Sequence, residues 1–289
     1  MQSTPEINEP NWRAAAERLE KFLGDESLFG AFVRLRIEIA GIFDKVYPKI
    51  DDKVFKKKFD PRNPILPLKA EHMNFDPPLV KELSDEVEAG LGRLGPVNEE
   101  IAKLLKYAES REDFFAKLTP DSVFDWNAKH LNDLAEEIGS PHYALISFGR
   151  IIATPFMVRA ARLIEPNVKS PVDQSAACPI CGAAPSYLRH GRNDGGWLLV
   201  CSLCETHWQT PAMHCPFCGC DDQEKLGAMM VADDEIRPIM SCDACGNYIK
   251  SIDERKYPEN TMIIAFEEDT ITLPYDMLAE REGYKRPHY

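Results

Sequence analysis

The sequence predicts an α+β chain, a multi-helical N-terminal domain followed by two small cysteine-built modules. Three observations predict it. Residues 1 to 165 carry apolar stripes at helical spacing, punctuated by glycine and proline. Eight of the nine cysteines fall into four C-x2-C pairs between Cys178 and Cys245. That stretch is also an internal repeat: Cys-Pro-x-Cys-Gly, a hairpin pattern and a second C-x2-C, run twice with the start displaced by 37 residues, from Cys178 to Cys215.

In the helical domain, expected over residues 1–170, Trp12, Ala16, Leu19 and Leu23 form a first stripe that stops at Gly24. Phe29, Phe32, Val33, Ile37, Ala40 and Phe43 form a second, up to Pro48. Prolines 48, 61, 64 and 67 and the run Lys56-Lys57-Lys58 predict a loop or crossover, its lysines a solvated face. Asp76 and Pro77 open a helix with Val80, Leu83, Val87, Leu91 and Leu94 on one face. Ser110 to Asp113 resembles a capping box before Phe114, Phe115 and Leu118. Thr119-Pro120 is expected to open a helix through Val123, Trp126, Leu131, Leu134 and Ile138, closed by Gly139. Ser140-Pro141 opens the last and most apolar helix, which Pro155 should kink.

The cysteine pairs read as metal knuckles. Two cysteines separated by two residues aim both sulfurs at one point about 2.3 Å away, half of a tetrahedral site. Nineteen residues separate Cys181 from Cys201, and twenty-three separate Cys218 from Cys242, at or near zinc-ribbon spacing. Ser186 to His190 and Trp197 to Val200 flank the turn cluster 191–196, and Leu226 to Ala232 and Ile236 to Met240 flank residues 233–235. Sequential closure is therefore expected: Cys178, Cys181, Cys201 and Cys204 at one site, Cys215, Cys218, Cys242 and Cys245 at the other. The ten-residue loop 205–214 leaves closure of the second pair with the third open.

The modules, rubredoxin-like or zinc-ribbon in type, are expected over residues 171–210 and 211–257. A strand should leave the second after Cys245, and a tail, 258–289, carries a short helix with Leu273, Met277 and Leu278 that packs back on the modules. His207 and His214 flank the knuckles, but eight cysteines already fill two tetrahedral sites. Cys220 is a ninth, spare thiol. Disulfides are not expected in so long a chain, and a redox C-x2-C would need one pair at a strand-helix junction rather than four at ribbon spacing.

The formal charge of −13 divides unevenly. Residues 171–289 hold 19 acids and 10 bases, net −9, and four thiolates on a divalent ion add a further −2 at each site. This disfavours a nucleic-acid partner. No secretory signal pattern opens the sequence, and the apolar run from Tyr143 to Val158, interrupted by Arg150 and Pro155, falls short of a membrane span, so the cytoplasm is expected without membrane insertion. Closed four-thiolate sites offer no open coordination position, which argues against an enzyme.

Cys178-Pro-Ile-Cys181-Gly, Cys201-Ser-Leu-Cys204-Glu-Thr-His-Trp208, Cys215-Pro-Phe-Cys218, Cys242-Asp-Ala-Cys245-Gly-Asn-Tyr248-Ile-Lys250 and the closing Leu278 to Arg286 carry a resemblance to a known family. The sequence resembles the formate dehydrogenase accessory proteins of the FdhE type over residues 178 to 286, with a looser likeness over the helices. That resemblance implies a non-catalytic cytoplasmic maturation factor acting on the catalytic subunit of a molybdenum or tungsten formate dehydrogenase, with iron in the two modules. Cys220, so near the third pair, departs from the family pattern. Against iron, four thiolates at equal metal availability favour zinc. A rubredoxin-like electron carrier and a nucleic-acid-binding zinc ribbon are the alternatives, the first leaving the helical domain unexplained.

Overall fold

A computed structural model describes residues 9–23, 28–94, 99–109, 111, 113–168, 176–192, 196–231, 234–258 and 262–287. Among these residues a layer of seven helices is followed by one six-stranded sheet and two closing helices.

Helix α1, Trp12–Leu19, starts where the Asn11 side chain accepts the Ala14 N–H at 3.1 Å, and it buries Trp12, Ala15 and Leu19. Ala16 is only half-buried and Leu23 is exposed, so the inward stripe is narrower than the sequence pattern implied; Gly24 lies outside the described residues. Helix α2, Leu28–Val46, sets Phe43 edge-on to Trp12 with ring centroids 5.1 Å apart. The proline-rich stretch is a structured crossover: Phe55 bridges Met73, and Phe55 stacks on Phe59 at 4.7 Å. Asp76 caps α3, Pro77–Arg93, through the Leu79 N–H.

Three helix expectations need correction. A helix the sequence reading passed over, α4, Glu99–Glu109, buries Leu104 and Leu105. Pro120 opens no helix; it lies inside α5, Phe114–Phe124, where the Thr119 hydroxyl donates to the Phe115 carbonyl at 2.7 Å and the Ser122 hydroxyl to the Thr119 carbonyl at 2.8 Å. The chain then breaks before α6, Lys129–Ile138, which Gly139 ends at φ +70°. At the start of α5, Asp113 makes no cap bond and instead pairs with Lys117 one turn on at 2.5 Å; Ser110 and Glu112 lie outside the described residues.

Helix α7, His142–Ile164, is the centre of the layer and continues as helix through Pro155. With its extension to Asn167 it is long and apolar enough to cross a bilayer, beyond the length of the apolar run alone, but 67% of its most apolar window is buried inside the protein, as in a core helix. Gly149 permits a close approach to α5: a Cβ there would lie 2.4 Å from Ser122 Oγ.

The cysteine-rich part forms β1, Pro185–His190, β2, Trp197–Cys201, β3, His207–Thr210, β4, Leu226–Val231, β5, Asp234–Cys242, and β6, Asn247–Asp253, in the order β3-β2-β1-β6-β5-β4. Each unit is an antiparallel meander of three strands. The two are joined edge to edge by β1 and β6, which run parallel with Tyr187 opposite Lys250 and His190 opposite Asp253.

The tail has two helices where one was expected, α8, Ala265–Ile271, and α9, Leu273–Arg281, divided at Thr272; Met277 is exposed and Ala279 is the buried contact. It does pack on the strands. Tyr248 and Lys250 of β6 both donate to Asp276, at 2.9 and 2.8 Å. It also grips the helical layer: Arg18 pairs with Glu267 at 2.9 Å, and Arg36 lies over the Phe266 ring at 3.5 Å while donating to Thr270.

Candidate metal centres

The first and third knuckles share one local design. Cys178 N–H bonds the Ala183 carbonyl and Gly182 N–H the Cys178 carbonyl; five residues apart in the same way, Cys215 N–H bonds the Cys220 carbonyl and Gly219 N–H the Cys215 carbonyl. Gly182, Gly219 and Gly246 each follow a C-x2-C and take φ of +79°, +72° and +71°. A side chain would be strained there, which is why Cys-x-x-Cys-Gly recurs. The second knuckle breaks the rule: Glu205 holds φ +57°.

These turns gather the sulfurs into two quartets, Cys178, Cys181, Cys201 and Cys204, and Cys215, Cys218, Cys242 and Cys245, in each of which all sulfurs lie within 4.8 Å of one another. Cys178 Sγ is 3.6 Å from Cys204 Sγ and Cys181 Sγ 3.4 Å from Cys201 Sγ; in the second quartet Cys215 to Cys245 and Cys218 to Cys242 are both 3.7 Å. A tetrahedron with metal–sulfur bonds of about 2.3 Å has edges of about 3.8 Å, so the quartets fit a four-coordinate ion. Bonded sulfurs would stand about 2.05 Å apart, and all nine cysteines are free thiols. Cysteines from the first and second pairs share one quartet, and those from the third and fourth the other.

Electrostatics call for a cation. Burial pushes the Cys178 thiol well up. It also opposes ionisation of Cys201, but hydrogen bonds from Cys178, Cys181 and Cys204 outweigh that and hold Cys201 well below an ordinary thiol. In the second quartet burial raises Cys215, while Cys242, despite burial, is lowered by the backbone N–H groups of Cys245 and Ala244. Four thiolates packed this closely in low dielectric repel one another; a divalent ion removes the conflict by deprotonating and crosslinking all four.

The two centres differ in depth. All four first-site cysteines are buried within the same apolar core as the helices. Leu203 and Cys204 N–H groups point at Cys201 Sγ at 3.4 Å, and Trp208 is buried in the same core. At the second site Cys218 is exposed and Cys245 half-buried.

The remaining flagged residues stand outside both quartets. His207 Nδ1 accepts from the Arg189 guanidinium at 3.1 Å; burial, then the Arg189 and Arg162 cations, lower its pKa to about 3. His214 Nδ1 donates to the Ala212 carbonyl at 2.8 Å. Cys220 serves its knuckle through its backbone, in the position Ala183 holds in the first unit. Sequence reasoning missed the charged cluster beside Cys204, where Arg162 pairs with Glu165 at 2.9 Å and Glu205 at 4.0 Å. Burial raises both carboxyls. The signal was Glu205 itself, the only knuckle-following residue that is not glycine.

No family model matches the chain. Among curated proteins it is similar to the FdhE proteins of Escherichia coli O1:K1 / APEC, 30% identical over 173 residues, and of Escherichia coli strain ATCC 8739, 31% identical over 173 residues; each alignment covers 55% of this chain and 53% of the relative. The chain thus matches about half the length of these relatives. Among solved structures, the crystal structure of the FdhE protein from Pseudomonas aeruginosa superposes with a TM-score of 0.65 at 18% identity, covering 99% of this chain and 97% of that one. The chain is similar in sequence to FdhE proteins over about half its length, and it shares the fold of one over nearly all of it.

Proposed function

We propose that this chain is a non-catalytic accessory protein that binds the catalytic subunit of a molybdenum or tungsten formate dehydrogenase before that enzyme is complete, in the cytoplasm. The observation that carries the reading is the pair of coordinatively closed cysteine quartets set in a fold shared with an FdhE protein along its length. A four-thiolate ion has no position for substrate, so its role here is to fix surfaces. Iron is the metal we assign in the native host, on the family resemblance, with zinc entering the same geometry in overexpressed protein; visible absorption by a ferric tetrathiolate separates the two. The tail ties strands and helices into one surface, and a specific interface of about 800 Å² per partner needs contributions from both.

A pull-down with the cofactor-free catalytic subunit of the host's formate dehydrogenase tests this. Association in a defined ratio is expected; no detectable association contradicts it. One observation favours a second reading, electron transfer, because Cys218 brings the second centre to the surface. Reversible cycling of bound iron without subunit binding would select it.

A further inference from the structure

A groove of about 750 Å³ opens where the helical layer meets the first metal unit. Lys69 and Glu71 of the proline-rich crossover line one side, Asp121, Asp125 and Trp126 at and beyond the end of α5 another, and Cys181 the floor. The lining holds three acids, Glu71, Asp121 and Asp125, against one lysine; the Asp121 carboxylate also bonds His130 Nε2 at 2.8 Å, and Asp125 is exposed. Phe124 and Trp126, both half-buried, add aromatic area to the lining. The size suits several residues of extended peptide rather than an ion.

Building on the reading above, we propose that this groove receives a basic, extended segment of the partner polypeptide, and that the first metal centre sets its shape. Charge complementarity selects the occupant: an acidic, aromatic trough on a chain of net charge −13 attracts lysine or arginine side chains and repels a second copy of itself. The metal dependence follows from the floor. Cys181 belongs to the first quartet and its neighbours Gly182 and Ala183 line the groove, while Leu68 N–H bonds the Ile180 carbonyl at 2.7 Å, which ties the crossover wall to the knuckle.

The test titrates the fully metallated, full-length protein with the purified cofactor-free catalytic subunit, comparing the parent with Asp121→Asn/Asp125→Asn and with a control on α9, Glu280→Gln. The double variant is expected to bind at least about tenfold more weakly, with the difference shrinking at high salt, and the control to bind as the parent does. Chemical crosslinks from the groove should land on lysine- or arginine-containing segments of the subunit. Equal binding by the double variant, crosslinks confined to acidic segments, or self-association of the parent that the double variant abolishes would each overturn the groove proposal while leaving the accessory reading standing. Absence of binding by the parent would instead remove the accessory reading, and this proposal with it.

Discussion

The backbone N–H of Leu68 donates to the carbonyl of Ile180 at 2.7 Å, fastening the crossover of the helical layer to the first cysteine knuckle. With the tail gripping from the other side through Arg18, Arg36, Lys250 and Asp276, the first metal centre is enclosed by the helical layer and the second is not.

Metal release should therefore be stepwise. The second site, with Cys218 exposed, should yield its ion first to a chelator, followed slowly by the first. Structural zinc supplies roughly 10–16 kcal/mol of apparent binding energy in finger peptides, against a net domain stability of about 5–15 kcal/mol. Loss of the first ion should accordingly loosen helices as well as strands, whereas loss of the second should stay local to β4–β6. Metal counting alongside hydrogen exchange checks this; simultaneous release, or unchanged protection after both ions leave, contradicts it.

Lys250 is buried on the central strand pair, bonded to Asp276 at 2.8 Å and Asp269 at 3.0 Å. Lys250→Ala removes one of two cations from Asp276 and Asp269, leaving Arg286 at 3.3 and 3.1 Å, and should cost about 1–3 kcal/mol. Denaturant unfolding reads this; a change within 0.5 kcal/mol, the scale of a surface substitution, would mean the tail is not anchored there.

His207 gives a pH signature. Its folded pKa is lowered to about 3, while the unfolded chain takes up the proton near 6.5, so between those values only the unfolded state is protonated. Stability should be full above about 6.5 and fall as pH drops, by up to about 1.4 kcal/mol per pH unit. His207→Gln should flatten this part of the profile. Parallel profiles for parent and variant from pH 7 to 5 would contradict the assignment.

Gly149→Ala should destabilise by about 1–3 kcal/mol through overpacking, because its Cβ would meet Ser122 Oγ at 2.4 Å where α5 crosses α7. Adding Ser122→Gly to the variant should recover part of the loss, and two bound ions should remain throughout. A neutral Gly149→Ala would show that the two helices do not meet this closely.

Much of the site was legible because metal binding is written in short-range spacing: each C-x2-C and each following glycine acts within one turn. The helical stripes were legible wherever caps sat beside them, as at Asp76. Helix α4 had its own signal in Ile101, Leu104, Leu105 and Ala108, which the sequence reading passed over. Pro120 misled because a Thr-Pro pair reads as a helix start, whereas here the helix runs on through it. The β1–β6 junction, which turns two modules into one sheet, pairs strands across the whole cysteine repeat and leaves no local pattern. The groove was equally hidden, since its walls come from three distant segments.

Formate dehydrogenase activity in a host strain lacking this chain is the most direct measurement of its proposed role. Activity should be lost, return with the parent sequence, and fail to return with Cys204→Ser, whose sulfur completes the buried quartet. Normal activity in the strain without this chain would contradict the account.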